Sequence, residues 1–246
     1  MTNSASQTPA FPAISLEKIQ EAAPGLVDLY KSAGASLAKN RLGGARAAVY
    51  LVLDRSMSMR RYYDDGSVQR LAEQALGLAA HFDDDGAVPV VFFDSFAHAP
   101  FEVALTSYQG RIRSEHEARG WMGTTNYAAA MHKVIGHYRQ SRASVPAFVI
   151  FQTDGRPDSE AAAEQALCEA SALPMFWQFI GFGDDAFAFL KRLDTLEVPQ
   201  RRLLDNAGFF EAGADPGATP LAELYDPLMA EFPAWLAAAR AKGLVR

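Results

Sequence analysis

The chain has 246 residues, 49% of them hydrophobic, which suits one large α/β domain with a sizeable core and leaves little room for a second domain. Its formal net charge is −6 and no Lys/Arg run occurs, so a nucleic-acid footprint is not expected. A single cysteine, Cys168, rules out an internal disulfide and favours a reducing, cytoplasmic setting. The first residues carry no basic segment followed by an apolar one, so no secretory signal is read there. No stretch of about 18 apolar residues exists to span a membrane.

In chain order, residues 1–14 are small, polar and proline-containing and read as a flexible tail. Residues 15–44 read as a helical extension in two pieces, broken near Pro24-Gly25. In the second piece Leu26, Leu29, Tyr30, Ala33 and Leu37 recur at helical spacing, which predicts packing on the flank of the main domain, 45–246. Val49 to Leu53 is a run of apolar residues that ends at Asp54, as a buried strand would. A polar loop is expected over Arg60 to Gly66, then an amphipathic helix over 67–82, stopped by Asp83-Asp84-Asp85-Gly86. Val88 to Phe93 and Ala97 to Val103, joined by a short turn, can only be antiparallel neighbours. A short helical segment falls within 105–119. The loop Trp121 to Asn126 opens a helix running to about Tyr138.

Further strands are predicted over Val145–Phe151 and Met175–Phe182, with helices over 158–171 and 187–193. A last strand falls within Arg202–Phe210, interrupted at 205–208. Residues 219–243 read as helical, with breaks at Pro227 and Pro233. Alternating strands and helices with one antiparallel strand predict an α/β fold of three layers. Its doubly wound sheet is mostly parallel, with one antiparallel edge strand.

Function is written at the ends of these strands. Asp54, Ser56 and Ser58 gather three hard oxygen donors at the carboxyl end of the first strand, where open α/β sheets bind ligands. The loop with Thr124 and Thr125, and Asp154 after another strand, belong on the same edge. Hydroxyls and carboxylates suit Mg²⁺, with Mn²⁺ or Ca²⁺ as alternatives, better than zinc or copper. The pattern reads as a metal-ion-dependent adhesion site, with one coordination position left for an acidic group of a protein partner. It is equipped for binding and poorly for turnover, so the chain is not expected to be an enzyme. A metal-dependent phosphohydrolase of the haloacid-dehalogenase type would need an acid two residues after Asp54, and Ser56 stands there. A metal-free structural module is the other alternative. Trp121 and Met122 are rim candidates beside the threonine loop.

Asp54-Arg55-Ser56-Met57-Ser58, Thr125-Asn126 and Thr153-Asp154-Gly155 together resemble the von Willebrand factor A (vWA) domain. The version in bacterial tellurium-resistance proteins of the TerF type is the nearer resemblance. It is carried further by Gly66-Ser67-Val68-Gln69, by Pro174 to Gly181, by Asp205 to Phe210 and by Glu231 to Trp235, and it spans about residues 25 to 245. The resemblance implies that Asp54, Ser56, Ser58, Thr125 and Asp154 form the metal site. It also implies a protein-binding adaptor in a tellurite or stress-response system. Two departures stand out. The family usually has two glycines before the threonine, and this chain has Gly123-Thr124. Arg55 replaces a small apolar residue inside the site motif, where a cation would weaken the metal or help to dock an acidic partner.

Overall fold

The computed structural model describes residues 12–198, 200–218 and 221–245. Among the described residues six strands form one sheet: β1 (Ala48–Asp54), β2 (Ala87–Phe93), β3 (Phe101–Ala104), β4 (Ala147–Thr153), β5 (Met175–Phe182) and β6 (Ala207–Gly213). Their spatial order is β3-β2-β1-β4-β5-β6. All neighbours are parallel except β2 and β3. The expected architecture is therefore present, with the antiparallel strand at an edge.

Alternation along the strands sends side chains to two apolar layers. Val49, Leu51 and Leu53 of β1 enter one core, and Tyr50 and Val52 enter the other. The first core is covered by α1 (Leu16–Ala22), α2 (Val27–Lys39), α4 (Ser67–Phe82), α9 (Leu221–Met229) and α10 (Phe232–Ala241). It holds an aromatic cluster in which the Phe232 ring lies 4.9 Å from Phe148 and 5.7 Å from Phe176. The second core is covered by α6 (Tyr127–Ser141), α7 (Glu160–Ala170) and α8 (Ala188–Asp194). Among the described residues no helix is long and apolar enough to cross a membrane.

The helical extension breaks where expected, in a short 3₁₀ turn over Pro24–Leu26. Its apolar stripe is buried: Leu26, Tyr30, Ala33 and Leu37 join the first core. On the far side Ser36 Oγ donates to Asp226 Oδ1 at 2.7 Å, and Lys39 pairs with the same carboxylate, tying α2 to α9.

Several expectations need correction. Of the expected tail, residues 1–11 lie outside the described residues, but Ala13 and Ile14 are anchored. Their N–H groups donate to the carbonyls of His81 and Ala80 at 3.2 and 2.8 Å, and the Ile14 side chain is buried. The polar loop at 60–66 contains a short helix, α3 (Arg60–Asp64), after a 3₁₀ turn over Met57–Met59. Five residues are too few to show a helical period, yet α3 buries Tyr62 and Tyr63. The strand expected over 97–103 narrows to β3, because Pro100 interrupts it, with only an isolated bridge from Ala97 to Phe93.

The last strand begins only at Ala207. The residues before it serve other groups: Arg202 donates to the carbonyls of Leu196 at 3.0 Å and Asp194 at 2.6 Å, and Asn206 Nδ2 donates to Leu167 O at 3.2 Å. Pro227 lies inside α9 and does not end it, being close enough to the helix end that little of the ladder is lost. Pro233 opens α10 at its first turn, where no N–H is needed.

Candidate metal site

The site lies at the carboxyl ends of β1 and β4. Asp54 continues the row of Tyr50 and Val52, and Thr153 continues the row of Val149 and Phe151, so both side chains leave the sheet on the same face. The parallel register pairs Leu53 with Gln152, which places Asp54 next to Thr153. Thr153 Oγ1 donates to Asp54 Oδ2 at 2.6 Å. The other oxygen, Asp54 Oδ1, accepts the Ser56 N–H at 2.7 Å in a tight turn. That turn swings both serine hydroxyls to one side. Ser56 Oγ and Ser58 Oγ are 3.2 Å apart, and Ser58 Oγ donates to Asp154 Oδ1 at 2.9 Å. Asp54, Ser56, Ser58 and Asp154 thus form one contiguous cluster of oxygen donors.

Thr125 reaches this edge by a different route. The Ser56 backbone bridges to Gly123, and the Met57 N–H donates to Gly123 O at 3.1 Å, so the threonine loop is laid against the serine turn. Asp158 holds Thr125 by its main chain, accepting the Thr125 N–H on Oδ1 at 3.1 Å and returning its own N–H to Thr125 O at 2.8 Å. Thr124 is committed elsewhere: its hydroxyl donates to Asp158 Oδ2 at 2.6 Å and lies 3.0 Å from Ser95 Oγ, whose hydroxyl it can accept. This engagement separates the two threonines. Asn126, not a threonine, caps α6, its Oδ1 accepting the Ala129 N–H at 3.0 Å.

At Gly123 the loop passes close to the turn that follows β2. A Cβ placed there would stand 3.0 Å from the Ser95 amide nitrogen and 3.1 Å from Asp94 Cβ. Gly123→Ala is expected to push the loop outward, costing about 1–3 kcal/mol in urea denaturation. A loss below about 0.5 kcal/mol would show that the contact yields freely.

Arg55 does not sit in the site. It is fully buried and turned towards the loop that precedes Thr124. Its Nη1 donates to Asp94 Oδ2 at 3.2 Å and to Trp121 O at 2.7 Å, and its Nη2 reaches the carbonyls of Gly120 and His116. The expectation of a cation beside the metal is therefore corrected. Of the two rim candidates, Trp121 is 80% exposed, while Met122 is buried in the first core.

Electrostatics set the character of the cluster. Burial, with the neighbouring charge of Asp154, pushes the Asp54 carboxyl up to about 7, against the donors Thr153 and Ser56. Burial also raises Asp154, opposed by the Ser58 hydroxyl and by Arg61. Two carboxylates in a poorly solvated pocket of hydroxyls make a set that a divalent cation would complete, because it supplies the missing positive charge. The donors are all hard oxygens, so the residues fit such an ion. Below them, Tyr127 Oη donates to Thr153 Oγ1 at 3.0 Å, and Tyr63 Oη donates to Asp54 O at 2.9 Å.

Sequence reasoning missed Thr153, Asp158 and Tyr63 as supports of the site. Thr153 carried a signal, a lone hydroxyl at the end of an apolar strand. Asp158 and Tyr63 carried none, being loop and helix residues whose partners lie 33 and 9 positions away. The acidic run Asp83-Asp84-Asp85 is the C-terminal stop of α4, next to a cavity of about 590 Å³ that opens among the amino ends of β1, β2 and β4, away from the candidate site.

Known proteins share this sequence family and this fold. The model of the vWA domain found in the C terminus of TerF matches residues 46–245. YcbR, an uncharacterized protein of Bacillus subtilis (strain 168), is 35% identical over 231 residues, covering 89% of this chain and 90% of that protein. Among solved structures, a von Willebrand factor type A protein from Catenulispora acidiphila is 18% identical, with a TM-score of 0.50 over 76% of this chain; this chain covers 42% of that one. The manganese-loaded TRAP protein of Plasmodium vivax is 17% identical, with a TM-score of 0.51 over 74% of this chain and 73% of its own. Proximal thread matrix protein 1 from the mussel byssus, with a zinc-occupied MIDAS motif, is also 17% identical at a TM-score of 0.51, over 75% of this chain and 48% of its own. The structural likenesses show a shared fold, and the matched family with its sequence relative shows more: this chain belongs to the TerF-like vWA family.

Proposed function

We propose that the chain is a metal-ion-dependent protein-binding module, in which a divalent cation on the carboxyl edge captures an acidic side chain of a partner protein. The observation that carries this reading is the Asp54–Ser56–Ser58–Asp154 cluster. It joins a buried, uncompensated carboxylate to two hydroxyls and a second carboxylate within hydrogen-bonding reach. Ser56, Ser58 and Thr125 would hold the ion through hydroxyls, and Asp54 and Asp154 would act through water. So few direct charges leave the ion electrophilic, which is what capture of an outside carboxylate needs. Mg²⁺ is the ion best matched to this donor set, with Mn²⁺ or Ca²⁺ as alternatives. Two proteins of the same fold are described with a metal, manganese in one and zinc in the other.

Binding and not turnover is the proposed activity, since Ser56 stands where a phosphohydrolase of the haloacid-dehalogenase type would need its acid. The family links the domain to TerF, and the role we assign is that of a cytoplasmic adaptor in a tellurite or stress response. The test is calorimetric titration of Mg²⁺ and Mn²⁺ into the wild type and into the double variant Ser56→Ala/Ser58→Ala. Loss of at least tenfold in affinity is expected, about 1.4 kcal/mol. Equal affinities would refute the assignment of the hydroxyls.

A further inference from the structure

The metal edge is bordered by apolar side chains that the fold leaves uncovered. Trp121 is 80% exposed, Phe96 58% and Met57 39%. The chain's other two tryptophans, Trp177 and Trp235, are buried. The exposed three surround the same edge. Asp54 pairs with Phe93, so the turn carrying Phe96 leaves β2 beside the Asp54 end of β1. Met57 is bonded through its N–H to Gly123 O, two residues beyond Trp121.

These residues are also held in place. Arg55 Nη1 donates to Trp121 O at 2.7 Å and to Asp94 Oδ2 at 3.2 Å, and Asp94 Oδ1 accepts the Phe96 N–H at 3.4 Å. His98 Nε2 lies 2.9 Å from Asp94 Oδ2, and its ring lies 4.6 Å from that of Phe96. One buried ion pair therefore anchors the backbones of both exposed aromatics, on the β1 side and on the β2 side. Loops fixed in this way lose little freedom on docking, and exposed aromatics on fixed backbones are the usual anchors of protein interfaces.

The charges nearby narrow the partner. Asp158 is hydrogen-bonded to the threonine loop, and Asp184 and Asp185 are exposed on the loop after β5, with the charge of Asp185 felt at Asp154; opposite in charge are the exposed Arg60, whose Nη2 lies 3.5 Å from Met57 Sδ, and Arg61, whose charge is also felt at Asp154. The carboxylates, with Asp54 and Asp154 among them, outnumber the two guanidiniums, so a run of acids would still meet like charge, and a single acid between apolar neighbours would meet less of it. The geometry points to a specific partner chemistry: a protein segment presenting one carboxylate to the metal, flanked by aromatic or aliphatic side chains that pack on Trp121, Phe96 and Met57. This inference rests on the metal-dependent reading above.

The test selects randomised peptides displayed on phage against the full chain in Mg²⁺. Enriched sequences are expected to share one Asp or Glu with an apolar residue adjacent or next but one. A synthetic peptide of the leading sequence should bind Trp121→Ala and Phe96→Ala about tenfold more weakly than wild type, while Mn²⁺ affinity measured by calorimetry stays unchanged in both variants. Enrichment of acid runs without apolar neighbours, wild-type affinity in both variants, or no enriched family would overturn the inference. Equal peptide binding in EDTA would instead overturn the metal-dependent reading. Both substituted side chains are exposed, and far-UV circular dichroism with urea denaturation confirms that the variants fold.

Discussion

Arg55→Leu is expected to lower stability by about 3–5 kcal/mol, the range for breaking a buried ion pair from one side. The guanidinium is fully buried and serves the Asp94 carboxylate and the carbonyls of His116, Gly120 and Trp121 together. Removing it strands polar groups that water cannot easily reach. Asp94 keeps a hydrogen bond from His98, but the three carbonyls lose their shared donor. Arg55→Lys should recover only part of the loss, because one ammonium cannot span the same fork of acceptors. Urea denaturation of both variants checks this. A loss under about 1 kcal/mol for the leucine variant would mean that the loop finds other partners. The same variant should bind metal more weakly, because the released loop leads directly into Thr125.

Asp54→Asn should have effects of opposite sign on binding and on stability. It should abolish metal uptake. It should also stabilise the metal-free protein near pH 8, by up to roughly 4 kcal/mol, which is about three pH units at about 1.4 kcal/mol each, less about 1–3 kcal/mol for the one hydrogen bond, from Ser56 N–H or Thr153 Oγ1, that an amide nitrogen cannot accept. The reason is that the folded-state carboxyl is pushed up to about 7 by burial, against about 3.9 in an unfolded chain. Such a raised group contributes stability that is fully present below the unfolded value and is lost as pH rises through the folded one. Metal-free wild type should therefore gain stability relative to Asp54→Asn as pH falls from about 7 towards about 4. The difference between the two proteins isolates Asp54 from other titrating groups. Among those, His116, held down to about 4 by burial and by Arg55, acts in the opposite direction. Saturating Mg²⁺ should reverse the order of the two proteins at pH 8. Parallel melting-temperature profiles across this range, without metal, would show that Asp54 does not carry the strain.

Much of this was legible in the sequence because strand ends and helix faces are local patterns. The apolar run into Asp54 announced a buried strand, and the carboxyl edge followed from the alternation of elements. The alternating Asp54, Ser56 and Ser58 fold into one turn, and its partner Asp154 likewise ends a strand. Arg55 was misread for a physical reason. Its neighbours in sequence are site residues, but its side chain turns away from them, and three of its four acceptors are backbone carbonyls 61 to 66 positions away, the fourth being Asp94. Backbone acceptors leave no trace in side-chain identity. Thr124 and Thr125 were similarly ambiguous until Asp158 and Ser95 were seen to engage the first hydroxyl. The short helix α3 escaped because its burial comes from Tyr62 and Tyr63 meeting distant partners, such as the Phe182 ring 5.3 Å from Tyr62 and the His116 ring 4.0 Å from Tyr63.

The span of the family match and the extent of the hydrophobic core differ in this protein. The family match begins at Arg46, whereas Leu26, Tyr30, Ala33 and Leu37 of the preceding segment already belong to the first core. The bond from Ser36 to Asp226 joins that segment to a helix almost at the opposite end of the chain. The edge of the family match thus runs through the middle of a hydrophobic contact. Residues before that edge are, in effect, one wall of a shared room, and a gene fragment cut at the edge of the family match would leave that room open to water.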